Sequence, residues 1–349
     1  MSVKRPAVGA AFAGGGARGL AHLGVLKALE EEGVRLDVVV GTSMGGLVAG
    51  LYAAGVSLEE MLEFQEKGLL DLVSIDPAGR GLSNQEKLVS LLADLLGSEE
   101  LTFEELGVRA AVVATDIQAG EMVILDRGPL IPALAATAAL PLLFAPVRHQ
   151  GRWLVDGGVF NNLPVDVARS IGADRVLGVD VPSHFELSFS ETGVKSRLPR
   201  TLWSLANGEL DWKQPFLVAE ASMGMTAQMI NRTRVALCPP DLLLEVDLPN
   251  VGVLSDDQSA EIVQAGYEAA RTRGRALAGL WRKPLRPRWQ MHALRFWARL
   301  RRAWTAFQGE PEVLYPGPCS PERLRADLTR AGLCFEREGR RNGRGKPGS

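Results

Sequence analysis

Val38-Val39-Val40-Gly41-Thr42-Ser43-Met44-Gly45-Gly46-Leu47-Val48-Ala49-Gly50 opens with three β-branched residues, which read as a buried strand. A G-x-S-x-G pattern follows, and then the helical apolar spacing of Leu47, Val48, Leu51 and Tyr52. A strand-to-helix turn of this kind holds a serine in a tight conformation with its hydroxyl at a helix N-terminus. Gly41 and Gly45 suit the turn because a Cβ at either position would clash as the backbone doubles back. The helix N-terminus favours negative charge developing beside Ser43. Serine is also a good helix N-cap, so nucleophile and cap both stand as readings of Ser43 at this point.

Upstream, Val8 to Phe12 reads as the first strand and runs into Gly14-Gly15-Gly16-Ala17-Arg18-Gly19. A helix follows with Leu20, Leu23, Val25, Leu26 and Leu29 on its apolar side. The spacing of Gly14, Gly16 and Gly19 fits a dinucleotide loop, but Asp37 precedes the second strand instead of ending it. A P-loop fails because no Lys-Ser/Thr follows. Consecutive glycine N–H groups aimed at one point, an oxyanion hole, are the reading that also accounts for Ser43. His22, with no metal partner at ligand spacing, reads as a packed helix histidine.

Downstream, residues 57–101 carry peripheral helical patterns, and Ala110 to Asp116 is a buried strand whose Asp116 reads as a structural carboxylate capping a turn. Residues 130–147 are uncharged and long enough to span a bilayer. Pro132, Pro141 and Pro146 divide them, which predicts a short buried helix from about Pro132 to Leu140 and then an extended loop. A strand runs to Val155, and Asp156-Gly157-Gly158 reads as a tight turn at its end. Helix 165–171 and strand 175–180 continue the alternation, which predicts a largely parallel sheet with covered faces. Sites in such sheets form beyond the carboxyl ends of the strands, where the glycine loop, Ser43 and Asp156 all fall.

Residues 183–200 read as loop and roughly 201–232 as helical. Met223, Met225 and Met229 are expected as core filler and not as a lipid-binding surface. Cys238 to Val246 reads as a last strand and Ser255 to Leu280 as a long helix. From Arg282 to Gln308 there are eight Lys/Arg and no Asp/Glu. Over 286–307, Trp289, Ala293, Phe296, Leu300, Trp304 and Phe307 share one helical face, and Arg288, Arg295, Arg299 and Arg302 another. The pattern fits a helix in an anionic membrane interface, or one docked on the domain with its arginines solvated. Residues 337–349 read as a disordered Gly/Arg-rich tail.

The 349 residues suffice for a full core, and 46% hydrophobic with 23% charged content is ordinary for a globular α/β chain. A net charge of −2 gives no argument for nucleic acid as a partner. Cys238, Cys319 and Cys334, odd in number and without metal-ligand spacing, fit reduced thiols, so a cytoplasmic or membrane-peripheral location is expected.

With these residues placed, the chain resembles the patatin-like phospholipases. Gly14-Gly15-Gly16-Ala17-Arg18-Gly19 is similar to the family's oxyanion block, and Gly41-Thr42-Ser43-Met44-Gly45 to its nucleophile elbow. Ala136 to Pro146 is similar to its A-S-x-A-x-P-x-x-F-x-P segment, and Asp156-Gly157-Gly158 to its aspartate block. The four blocks occur in the family's order. The likeness covers residues 8–180 and extends more weakly to about 270.

The resemblance implies a three-layer α/β/α fold with a largely parallel central sheet. It implies a catalytic core over 8–180; residues 181–281 read as the rest of the same domain, and 282–349, outside the resemblance, as a C-terminal extension. It implies a Ser43–Asp156 dyad that cleaves lipid esters through an acyl-enzyme, with no metal or organic cofactor. Gly14, Gly15, Gly16 and Ala17 would form the oxyanion hole, and Arg18 would either steer a phosphate head group or brace the loop. Thr137, where the family more often has serine, and Ala13, where plant members carry aspartate, are departures expected to touch no reacting group. Three alternatives stand beside this reading: a Ser-His-Asp hydrolase using His149, His184 or His292, an acyltransferase using the same acyl-enzyme, and a silent lipid-binding protein.

Overall fold

The computed structural model describes residues 5–66, 85–141, 143–182, 188–190, 193–195, 213–249, 251 and 258–282. The segment 286–307 and the tail 337–349, read above as a basic helix and a disordered end, lie outside the described residues.

β1 (Val8–Phe12) and β2 (Val38–Thr42) are buried along their whole length, as strands covered on both faces must be. Between them stand a 3-10 turn (Gly16–Leu20) and α1 (Ala21–Glu31). After β2 come α2 (Met44–Ala53), α3 (Leu58–Glu66) and α4 (Glu86–Leu96). β3 (Arg109–Asp116) and β4 (Glu121–Leu125) form a hairpin, α5 (Leu130–Thr137) follows, and β5 (Val147–His149) and β6 (Arg152–Asp156) form a second hairpin. α6 (Val165–Ser170) leads to β7 (Arg175–Asp180) and a short pair, β8 (Ser188–Ser190) with β9 (Gly193–Lys195). α7 (Lys213–Leu237), β10 (Leu242–Glu245), α8 (Ser259–Thr272) and α9 (Gly274–Arg282) complete the described chain.

The main sheet runs β10-β7-β1-β2-β3-β6-β5, with β4 also paired to β3. The pairs from β10 to β3 are all parallel, α2, α5 and α6 pack on the strands, and α1 packs on α8, so the chain is a mixed α/β protein with a central sheet. The β3–β6–β5 end departs from the parallel expectation: β4, β6 and β5 all pair antiparallel. For β3–β4 and β5–β6 the reason is local, because a hairpin reverses direction without the long crossover that a parallel pair needs; β6 also enters beside β3 antiparallel, although the two are not hairpin partners.

The antiparallel entry of β6 decides where the chemistry sits. On one edge of β3, β2 pairs from Arg109 to Val113, ending at Thr42↔Val113. β4 pairs Val112 to Asp116 and overlaps β2 there, so it occupies the opposite edge. β6 pairs Ala114 to Asp116 and overlaps β4, so it shares the edge of β2, ending at Asp156↔Ala114. Two strands therefore approach each other head-on along one edge and stop at adjacent residues of β3.

The uncharged stretch 130–147 is a buried helix and loop within this domain. α5 begins at Leu130, two residues earlier than Pro132, which sits in the first turn where a missing N–H is tolerated. No helix among the described residues is long and apolar enough to cross a membrane. The predicted helix over 255–280 is two helices, α8 and α9, separated at Arg273.

Two of the three methionines of α7 are not core filler, while Met223 is half-buried. Met225 and Met229 are 55% and 67% exposed, and Val218 is exposed beside them. α7 is anchored through buried Ala221 and Asn231 and through Arg234, which leaves this apolar stripe beyond the contact face.

Candidate active site

Ser43 stands between β2 and α2 with φ 56° and ψ −128°, a conformation that costs a non-glycine residue energy. The flanking glycines make the turn feasible. A Cβ on Gly41 would run into the carbonyl of Gly45, and one on Gly45 would run into the carbonyls of Phe12 and Ala13. Ser43 is thus pinned where β2 ends, at the N-terminus of α2, and half-exposed.

Asp156 arrives from the opposite direction at the end of β6 and is only 3% exposed. Its Oδ1 accepts the Gly158 N–H at 2.7 Å, which closes the turn at Gly157–Val159. Its Oδ2 is buried without a hydrogen-bond partner at close range. Burial pushes the Asp156 carboxyl up to about 6, while the neighbouring Ser43 hydroxyl and the Gly158 N–H draw it back down. The Ser43 hydroxyl is thus near enough to act on the carboxylate, although no hydrogen bond joins it to Oδ2.

The glycine loop closes over the same point. A Cβ on Gly14 would lie 3.0 Å from the Ser43 Cβ, so the loop backbone passes directly beside the serine. The Gly14 N–H is already committed, donating to the Asn162 carbonyl at 3.1 Å, so within the block Gly14 contributes close approach and not a free donor. Among the described residues no backbone carbonyl accepts the N–H of Gly15 or Gly16, and the start of a 3-10 turn leaves its first N–H groups unpaired. Gly15, Gly16 and Ala17 are thus the residues of the block with N–H groups to offer an anion.

Arg18 is buried, 4% exposed, and its Nη1 donates to the Val251 carbonyl at 3.0 Å. It also acts electrostatically on Asp180, whose carboxyl burial and the facing Glu245 push up to about 6. These contacts fit the bracing reading of Arg18. His22 is fully buried, with Nε2 2.7 Å from the Ala13 carbonyl and its ring 5.1 Å from that of Phe12. Burial lowers its pKa to about 4, so the ring is neutral at pH 7 and Nε2 carries the proton it donates to Ala13. The packing role expected of His22 holds, and it steadies the base of the glycine loop.

Asp116 caps its turn as expected, with Oδ1 accepting the N–H groups of Gln118 and Ala119 at 3.0 and 3.1 Å. His149 lies at the hairpin turn of β5 and β6, at the opposite end of β6 from Asp156. His184 and His292 are outside the described residues.

Sequence reasoning missed three residues that hold the site together. Asn162 donates through Nδ2 to the Gly14 carbonyl at 3.1 Å, tying the aspartate turn to the glycine loop. Thr42 Oγ1 donates to the Asn161 carbonyl at 2.7 Å, tying the end of β2 to the same turn. Thr137, expected to touch no reacting group, accepts the N–H of Ser43 on its Oγ1 at 3.0 Å. It touches neither Ser43 Oγ nor Asp156, as expected, but its grip on the Ser43 backbone was not foreseen, because α5 crosses α2 closely, a contact that no local pattern announces. The run Asn161-Asn162-Leu163-Pro164 just after the aspartate turn was the available signal for Asn162: two polar residues closing an apolar strand and turn.

A family model described as patatin-like phospholipase matches residues 10–169, which include Ser43 and Asp156. An uncharacterised NTE family protein of Mycobacterium tuberculosis is 36% identical over 180 residues, covering 50% of this chain and 49% of that protein. Patatin-like phospholipase domain-containing protein 6 of Homo sapiens is 35% identical over 190 residues, covering 52% of this chain and 14% of that protein. The chain thus spans about half the length of the mycobacterial relative it matches. Among solved structures, VipD from Legionella pneumophila is similar at 16% identity and a TM-score of 0.48, over 77% of this chain and 66% of that one.

Proposed function

Residues 10–169 of this chain belong to the patatin-like phospholipase family, and from that premise we propose that the protein is a serine acyl hydrolase of lipid esters. The observation that supports the reading is the head-on meeting of β2 and β6 on one edge of β3, with a strained Ser43 just after the end of one and a buried Asp156 at the end of the other.

Ser43 Oγ attacks the ester carbonyl carbon, and its proton passes to Asp156 Oδ2, the carboxylate oxygen without another short partner. A free aspartate near pKa 4 is a poor base, and one raised to about 6 is better matched to a hydroxyl at neutral pH. The carbonyl oxygen gathers charge in the tetrahedral intermediate, facing the N–H groups of Gly15, Gly16 and Ala17 and the N-terminus of α2. Collapse expels the alcohol, which takes the proton from Asp156 and leaves an acyl group on Ser43. Water then repeats the sequence, giving up its proton to Asp156 and releasing the fatty acid. The basic amphipathic pattern of 286–307 supports an anionic membrane surface as the partner that presents such esters.

The test is hydrolysis of a short-chain p-nitrophenyl ester and of a phospholipid by the wild type, Ser43→Ala and Asp156→Asn. Both variants are expected to fold and to lose activity on both substrates. Wild-type kcat should rise with pH through about 6, because the protonated Asp156 accepts nothing, and level off above it. Activity retained in Ser43→Ala would contradict the mechanism, and ester cleavage without phospholipid cleavage would remove phospholipids from the substrate class.

A further inference from the structure

The junction where β2 and β6 meet leaves unpaired backbone groups. β2 stops pairing after Thr42↔Val113, so the Ser43 N–H no longer has a strand to bond. The Val113 carbonyl points into the same gap, since a Cβ on Gly157 at the start of the aspartate turn would collide with it. An unpaired donor and an unpaired acceptor inside a sheet are each costly. One hydroxyl satisfies both: Thr137 Oγ1 accepts the Ser43 N–H at 3.0 Å and donates its own proton to the Val113 carbonyl at 2.5 Å. It stands as a rung interposed between β3 and the nucleophile.

The helix packing is built to deliver that hydroxyl. Gly46 and Gly50 lie one turn apart on α2, and a Cβ on them would meet Thr137 Cγ2 at 2.7 Å and Leu134 Cδ2 at 2.6 Å. The bare glycine backbone lets α5 approach until Thr137 reaches the junction. Two residues on, the Ala139 carbonyl accepts the N–H of Asp156 at 2.9 Å. Residues 137–139 therefore grip the backbone of both members of the Ser43–Asp156 pair, one from each side of the gap.

We propose that Thr137 is a positioning residue for the nucleophile: its hydroxyl holds Ser43 in the strained conformation that presents Oγ to Asp156 and to the glycine loop. The inference rests on Ser43 being the nucleophile. Thr137 touches neither substrate nor the reacting oxygen; it acts through the Ser43 N–H. That contact also keeps this N–H out of the oxyanion hole and leaves that task to the glycine loop. The role demands a small side chain that donates and accepts at once, which restricts it to threonine or serine.

The experiment compares the wild type, Thr137→Val, Thr137→Ser and Ser43→Ala on a p-nitrophenyl ester. Rates of the wild type and the Thr137 variants are expressed per active site titrated to completion with a fluorophosphonate, and that of Ser43→Ala per folded protein, so that loss of folded protein does not count as loss of rate. Thr137→Val keeps the shape without the hydroxyl, and its kcat is expected to fall about 100-fold with KM little changed, the scale of a small misplacement of a reacting group. Thr137→Ser is expected to restore kcat to within a few-fold of wild type, and the pH midpoint set by Asp156 should stay the same in both variants. Should Thr137→Val fail to fold, Thr137→Ala removes the hydroxyl without placing a methyl where the oxygen stood and is read the same way. Wild-type kcat per titrated site in the variant lacking the hydroxyl would overturn the positioning role. Activity in Ser43→Ala would instead overturn the nucleophile assignment on which it rests.

Discussion

Asn162 grips Gly14 from both sides of its peptide: the Gly14 N–H donates to the Asn162 carbonyl, and Asn162 Nδ2 donates to the Gly14 carbonyl, each at 3.1 Å. The first residue of the glycine loop is therefore locked to the chain that follows Asp156. The proposed proton acceptor and the proposed oxyanion donors are thereby tied to each other, although 142 residues separate Gly14 from Asp156. Preorganisation of this kind lets backbone N–H groups stabilise developing charge without reorganising at the moment of reaction.

Removing the side-chain half of that lock should therefore affect rate more than fold. In Asn162→Ala the backbone bond to the Gly14 N–H survives and the Nδ2 bond is lost. kcat is expected to fall roughly tenfold or more, with a smaller change in KM, as expected for slack in donor positions. Steady-state kinetics on a soluble ester with a parallel melting curve check this, and an unchanged kcat would show that the loop is held by other contacts.

Asp156 should lower the stability of the fold that contains it. Its pKa is about 6 folded against an ordinary 3.8, so the folded state holds the proton more tightly. For a raised carboxyl the sign is that no penalty exists below about pH 4, where it is protonated folded and unfolded alike. The penalty grows as pH rises through 6 and is then complete, at about 3 kcal/mol on the scale of 1.36 kcal/mol per pKa unit. Asp156→Asn should thus be inactive yet more stable than wild type at pH 8, with the difference gone at pH 4. Urea unfolding at both pH values measures it directly. The similarly raised Asp180 is present in both proteins and cancels from the comparison.

The strain at Ser43 is measurable by the same means. Glycine accepts φ 56° freely, whereas alanine keeps the strain. Ser43→Gly is expected to be more stable than Ser43→Ala by about 1 kcal/mol, after glycine's greater freedom in the unfolded chain is allowed for. Both should be inactive, and equal stabilities would mean that the turn stores no energy at the serine.

Much of this was legible in the sequence because it is local. The strand Val38–Thr42, the serine turn and α2 are contiguous, and so are β1 and the glycine loop, so short-range pattern was enough. The position of Asp156 was read correctly as a strand end but through the wrong geometry. Its strand enters antiparallel, a matter of register between β3 and β6 that alternation of strands and helices does not encode. Thr137 and Asn162 escaped for the same physical reason. Their work is a hydrogen bond across 94 and 148 residues of chain, and a lone threonine in an alanine-rich helix gives no sign of it. Met225 and Met229 misled because helical spacing shows that a stripe exists, not which side of the helix the protein covers.

The central claim is that Ser43 becomes covalently acylated. Rapid acid quench of the wild type turning over a short-chain p-nitrophenyl ester, followed by peptide mass analysis, tests it most directly. The peptide containing Ser43 should carry the mass of the acyl group in the wild type and not in Ser43→Ala. An acyl group found on any other residue, or turnover by Ser43→Ala at the wild-type rate, would contradict the account.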